Sequence, residues 1–124
     1  MSTYNGPLAN ASMAFGSVTA PTAGAAIATS LPPGGKGLFQ IDVVAYLSGS
    51  GTPAAADNKN IEFRFGATTL ASVPLVPANN VPTVWRTYFT SDGTTNFSVN
   101  ATGAATASVI YNVSLVATRL TSAV

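Results

Sequence analysis

The feature that most constrains this chain is a period of two in its apolar residues, with no competing period of 3.6. In Ser108–Leu120, Val109, Tyr111, Val113, Leu115 and Ala117 share one side, while Asn112, Ser114 and Thr118 lie opposite. In Leu38–Leu47, Phe39, Ile41, Val43, Ala45 and Leu47 face one way; Gln40, Asp42 and Tyr46 face the other, with Val44 among them. Asn60–Phe65 repeats the pattern, with Ile61, Phe63 and Phe65 against Glu62 and Arg64. Successive side chains of a strand point to opposite faces, so each run predicts a strand with one buried face. No stretch combines a helical period with caps.

Turn signals divide the rest into further strands. Ala25–Ser30 ends at Leu31-Pro32-Pro33-Gly34-Gly35, and Ser48-Gly49-Ser50-Gly51-Thr52-Pro53 opens a loop that runs to Asn60. Gly66-Ala67 predicts a tight turn into Thr68–Val73, and Pro74, Pro77 and Pro82 make 74–82 a loop or a covered edge, because proline cannot donate to a ladder. Thr83–Thr90 holds the only Trp, Ser91-Asp92-Gly93 reads as a hairpin-like turn, and Thr95–Ala101 alternates again. Seven or eight short strands separated by turns predict an all-β fold, an antiparallel β-sandwich of the jelly-roll kind. The Ser108–Leu120 strand is the longest and cleanest, and is expected to lie centrally with partners on both sides.

The expected domain is 25–124, preceded by an extended N-terminal arm over residues 1–24 with one short strand around Ser12–Val18. The arm has no persistent period. It is either a tail or a segment that orders against a neighbouring subunit, and Tyr4, Leu8, Met13 and Phe15 give it something to bury.

Composition narrows the function. At 124 residues there is room for one domain that buries roughly two-thirds of its unfolded surface. Charged residues are 7% of the chain against about 25% in ordinary soluble domains, with a net charge of +1. Solubility then falls to Ser, Thr and Asn, which suits a protein held in an assembly. Five scattered basic residues balanced by four acids make no nucleic-acid patch. The first residues lack the n-region and h-region of a signal peptide, and no apolar run approaches the roughly 20 residues that span a bilayer. The expectation is therefore synthesis in a cytoplasm, with no membrane.

The inventory of reactive groups is thin. With no His and no Cys, the commonest general base, the usual nucleophile–base pairs and most zinc ligands are gone. Asp42 and Glu62, on polar strand faces, are the one pair that cross-strand pairing could bring together as glycosidase carboxylates, although pairing with Arg64, Arg86 or Arg119 accounts for them more simply. Asp57-Asn58-Lys59-Asn60 offers oxygen ligands, but Lys59 in their midst favours an Asx-rich turn over a calcium loop. Gly34-Gly35-Lys36-Gly37 is not followed by the Ser/Thr and helix of a phosphate loop. The sequence thus predicts no enzyme, no catalytic, cofactor-binding or metal residues, and no cofactor. Tyr46 and Tyr88 fall on polar sides of their strands and, with Arg86, are candidates for a subunit interface. The alternative is a carbohydrate-binding module that stacks sugars on Tyr46, Tyr88 or Trp85. Tyr111 falls on an apolar side and is expected in the core.

The runs Gly37–Tyr46, Asp57–Phe63, Thr68–Pro74 and Ser108–Leu120, with their strand rhythm, low charge and Ala/Thr/Asn-rich faces, resemble the small jelly-roll decoration or cement proteins and fibre heads of tailed bacteriophages. Some of these are similar in outline to the tumour-necrosis-factor and C1q fold. The resemblance covers about residues 25–120 and rests on style rather than on a motif, so it transfers no functional residue. It implies a virion protein on the capsid surface, made in the host cytoplasm. It also implies a homotrimer whose partners are its own copies and the major capsid protein. On that reading Tyr4, Leu8, Met13 and Phe15 of the arm become candidates for contact with the capsid.

Overall fold

The computed structural model describes residues 11–31, 34–49, 60–103 and 108–120. These form eight strands: β1 (Ala11–Thr19), β2 (Ala26–Ser30), β3 (Gly37–Gly49), β4 (Asn60–Phe65), β5 (Thr68–Pro74), β6 (Thr83–Ser91), β7 (Phe97–Ala101) and β8 (Val109–Arg119). Two four-stranded sheets result: sheet A in the order β1-β8-β3-β6 and sheet B in the order β2-β7-β4-β5.

The pairing follows a simple rule. β4 pairs with β5, β3 with β6, β2 with β7 and β1 with β8, all antiparallel. The chain is one long antiparallel ribbon whose tip is the Gly66-Ala67 turn. Rolling that ribbon brings β8 against β3 and β7 against β4, and makes the two sheets. This wrapping is the jelly roll, and it explains why only β4 and β5 are consecutive neighbours in one sheet.

The alternation read from sequence fixes which side of each strand faces in. Phe39, Ile41, Val43, Ala45 and Leu47 of β3 are buried, as are Val109, Tyr111, Val113, Leu115 and Ala117 of β8, which lies centrally with partners on both sides. Sheet B contributes Ile61, Phe63, Phe97, Val99 and Ala101. Aromatic rings fill the space between the sheets. Phe97 stands 5.9 Å from Phe39, 5.5 Å from Phe63, 5.7 Å from Phe65 and 6.1 Å from Phe89, in tilted and edge-to-face arrangements that favour ring pairs.

Three features differ from expectation, each for a local reason. The longest strand is β3, with 13 residues, rather than β8 with 11. β3 runs through Ser48 to Gly49, where a Cβ would lie 1.9 Å from Ser108 O, so the strand keeps pairing with β8 to its last residue. β7 starts at Phe97 and not at Thr95, because Asp92 accepts hydrogen bonds from the Thr94 and Thr95 amides and holds both in the turn.

The largest difference is at the N-terminus. The short strand expected around Ser12–Val18 of the arm is present as Ala11–Thr19, but it is paired with β8 along its whole length. Residues 11–19 are therefore part of the sandwich. The sequence signal is weak here because β1 turns small residues inward, namely Ser12, Ala14, Gly16 and Val18. Gly16 lies against the β2 backbone, and Ser12 Oγ is 2.6 Å from Ser30 Oγ. This contact joins the two sheets along the β1–β2 side. Tyr4 and Leu8 lie outside the described residues, as do Asp57, Asn58 and Lys59 of the expected Asx-rich turn.

Candidate functional site

The two outer faces of the sandwich are chemically different. On sheet B the outward residues are mostly polar, with Ala26 and Leu70 as exceptions. Thr29, Ser98, Arg64 and Thr69 make one row across the strands; Asn100, Glu62 and Ser72 make the next. Their polar groups bond to one another: Arg64 donates to Glu62 at 2.7 Å, Thr69 to Glu62 at 3.2 Å, Asn60 to Ser72 at 3.0 Å and Ser98 to Asn100 at 2.7 Å.

Sheet A turns apolar groups outward. The register sets Phe15, Ser114, Val44 and Val84 in one row. Met13, Val116, Asp42 and Arg86 form the next, then Ala11, Thr118, Gln40 and Tyr88. On the other side of the Phe15 row lie Ser17, Asn112 and Tyr46. Phe15 is 73% exposed, Val84 72%, Met13 63%, Tyr88 56% and Tyr46 37%. A contiguous apolar surface of this kind on a small domain marks an interaction site.

Two groups of residues that the sequence kept apart thus share one face: the interface candidates Tyr46, Tyr88 and Arg86, and the arm candidates Met13 and Phe15. Val44, Val84 and Val116 join them. The signal for these three was available, since each is an apolar residue on the polar phase of its strand.

The charges on this face neutralise each other. Arg86 Nε donates to Asp42 Oδ1 at 2.6 Å, and Gln40 Nε2 donates to Asp42 Oδ2 at 2.9 Å. Partial burial pushes the Asp42 carboxyl upward, but the hydrogen bonds from Arg86 and Gln40 outweigh it and hold the pKa below the ordinary carboxylate value. The hydrogen bond and charge of Asp42 raise the Arg86 guanidinium in turn.

The middle of the face is a trench of about 170 Å³ over β8, walled by Phe15 on one side and Val44 and Tyr46 on the other. It exists because β8 turns the small residues Asn112 and Ser114 outward between larger neighbours. The polar floor is internally bonded: Ser17 Oγ donates to Asn112 Oδ1 at 2.7 Å, and Asn112 Nδ2 donates to Ser48 Oγ at 2.8 Å. A shallower hollow beside it is bordered by Val44, Tyr46, Asn80 and Pro82.

The arrangement offers surface rather than reaction chemistry. Asp42 projects from sheet A and Glu62 from sheet B, so the two carboxylates sit on opposite outer faces and cannot flank one sugar. Each pairs with an arginine, Asp42 with Arg86 and Glu62 with Arg64, both at 2.6 Å. Arg119 donates to the carbonyls of Gly35 and Lys36 and lies 5.1 Å from the Phe39 ring centroid. Among the described residues no three His, Cys, Asp or Glu side chains group as a metal site. Trp85 faces inward, its ring 5.7 Å from Phe63, which removes the strongest ring from the supposed sugar platform. Tyr88 lies opposite Gln40, so it stands six positions along β3 from Tyr46, roughly 20 Å away at about 3.3 Å per residue.

No protein family matches the chain by sequence, and no curated protein matches it. Among solved structures, it is similar to a chain in the acidic stable capsid structure of Helicobacter pylori bacteriophage KHP30, with a TM-score of 0.59 and 12% identity over 90% of each chain. It is also similar to the PRD1 vertex protein P5, with a TM-score of 0.51 and 18% identity over 90% of this chain and 97% of that one. Rabbit GITRL aligns less closely, at a TM-score of 0.44 and 5% identity. At these identities the likeness to the two phage proteins is one of fold.

Proposed function

We propose that this chain is a non-enzymatic structural subunit of a phage virion, a capsid decoration or cement protein or a head-fibre subunit. It binds the lattice of the major capsid protein and stabilises the head. The observation that carries this reading is the contrast between the two outer faces: one has its polar groups bonded to each other, and the other leaves Phe15, Val84, Met13 and Tyr88 exposed among polar neighbours, a surface suited to being covered by a partner in an assembly. The low charge supports it, because few ions lose water when such a face is covered. So does the fold shared with a KHP30 capsid chain and a PRD1 vertex protein. The subunit is placed on the capsid surface after synthesis in the host cytoplasm, as the homotrimer that the resemblance to phage cement proteins implies.

The test is co-sedimentation of the full chain with capsids assembled from the major capsid protein of the same virus. The expected result is saturable binding at a fixed stoichiometry and a higher temperature of capsid disruption. A chain that stays in the supernatant, and binds glycans as a monomer, would refute the reading in favour of a sugar-binding module.

A further inference from the structure

We propose that the trench over β8 on the outer face of sheet A receives the phenyl ring of Phe15 from a neighbouring copy of this chain. This rests on the reading that the chain assembles with itself, and specifies where and through what.

The first support is the inverted pattern of β1. Its large apolar side chains, Met13 and Phe15, point to solvent, while Ser12, Ala14 and Gly16 point inward. Ala14 and Val18 pack against the core but the Phe15 ring does not, so any gain from burying that ring comes from outside the domain.

The second support is size and chemistry. The trench holds about 170 Å³, and an apolar cavity of about 150 Å³ accepts a benzene ring. Its Asn112 floor is already bonded to Ser17 and Ser48, so an occupant without hydrogen-bonding groups covers only the Ser114 hydroxyl without a partner.

The third support points to a second copy as the occupant. Phe15 is itself a wall of the trench, so knob and hole lie side by side on one surface. A rotation axis beside Phe15 carries each copy's ring towards another copy's trench. The charged side chains that the described strands project from this face, Asp42 and Arg86, are already paired, so covering the face leaves no uncompensated ion. Four strands about 4.8 Å apart and nine residues long, at about 3.3 Å per residue, present roughly 600 Å² in projection. That approaches the roughly 800 Å² per partner of a standard interface.

Sedimentation equilibrium on the full chain at micromolar concentration tests this. The wild type is expected to be an oligomer. Phe15→Ser is expected to weaken association by roughly tenfold to a hundredfold for each ring withdrawn. With both proteins diluted until they are monomeric, it should leave the melting curve in place, because Phe15 is 73% exposed within the single subunit. Ser114→Tyr, which fills the trench from its floor, is expected to dissociate the oligomer as well; Thr69→Tyr on the opposite face is expected to leave it intact. A monomeric wild type, or a Phe15→Ser oligomer as tight as wild type, would overturn the proposal. Capsid co-sedimentation separates the two readings: a monomer that still binds capsids overturns this contact alone, and an oligomer that ignores capsids overturns the virion role alone.

Discussion

Gly16→Ala is the sharpest test of how the sandwich is closed. Gly16 lies at the middle of β1 with its missing side chain aimed at β2. A Cβ built there would sit 1.6 Å from Ile27 O and 2.6 Å from Ile27 C. Ordinary contact begins near 3.4 Å, and the obstructing atoms are backbone, which no rotamer change can move aside. One methyl group therefore requires β1 and β2 to separate. The backbone at Gly16 lies outside the left-handed region. At such a position Gly→Ala normally stabilises by about 0.4–1 kcal/mol, through the reduced freedom of the unfolded chain. Overpacking strain of about 1–3 kcal/mol, or more where backbone must move, acts against this. The net expectation is a loss on the order of 1–2 kcal/mol, opposite in sign to the usual effect. Urea denaturation measures it, and hydrogen exchange localises it: amides of Met13–Val18 should lose protection before those of β3. A variant as stable as wild type, or more so, would show that β1 does not rest on the β2 backbone and that residues 11–19 behave as the loose arm after all.

Three further outcomes follow from named contacts. Leu115→Ala, at a fully buried site on central β8, should cost about 2–5 kcal/mol in denaturant melts, and a loss under about 1 kcal/mol would show that the strand is mis-phased. Asp92 is held at a pKa of about 2, against an ordinary 3.8, by the Thr95 hydroxyl and the Thr94 and Thr95 amides. A depressed carboxylate stabilises the fold fully above its unfolded pKa and loses that contribution as pH falls towards its folded one. Stability should therefore decline between about pH 4 and 2, and Asp92→Asn should flatten part of that decline; an unchanged pH profile would remove the capping account. A broad glycosidase and esterase screen should be negative, because Asp42 and Glu62 stand on opposite faces; activity abolished by Asp42→Asn or Glu62→Gln would reverse the structural reading.

The fold was legible wherever burial imposes a period. β3, β4 and β8 each set a wholly apolar row against a polar one, and their phase in the structure is the phase of the sequence. β1 carries no clear period in the sequence because its inward row reaches Val18 only after Ser12, Ala14 and Gly16. Residues that small carry almost no hydrophobic signal, and their fit depends on how near another backbone comes, which is a tertiary fact. The start of β7 was placed two residues early for a related reason. Thr95 belongs by propensity to a strand, but Asp92 captures its amide and hydroxyl for the turn.

The candidate site was half legible, and the missing half explains the site's character. Tyr46, Tyr88, Met13 and Phe15 were each singled out, but on separate grounds and separate segments. What joins them is the register of four strands drawn from both ends of the chain, with β1 laid beside β8 and β6 beside β3. Along any one strand the outward apolar residues look like lapses in alternation: Val44 among polar neighbours, Val116 between Leu115 and Ala117, Val84 before Trp85. Stacked in register, they form a continuous surface. Sheet B has the same construction with fewer such lapses, Ala26 and the partly exposed Leu70, and its outer face is tied up in its own hydrogen bonds. The two faces share one backbone plan and differ only in what the outward phase carries. The apolar outward phase of sheet A is therefore a property of its sequence and not of the jelly roll as such. A partner that covers the Phe15 face removes apolar surface from water, whereas one that covers the Glu62 face must displace bonds already made.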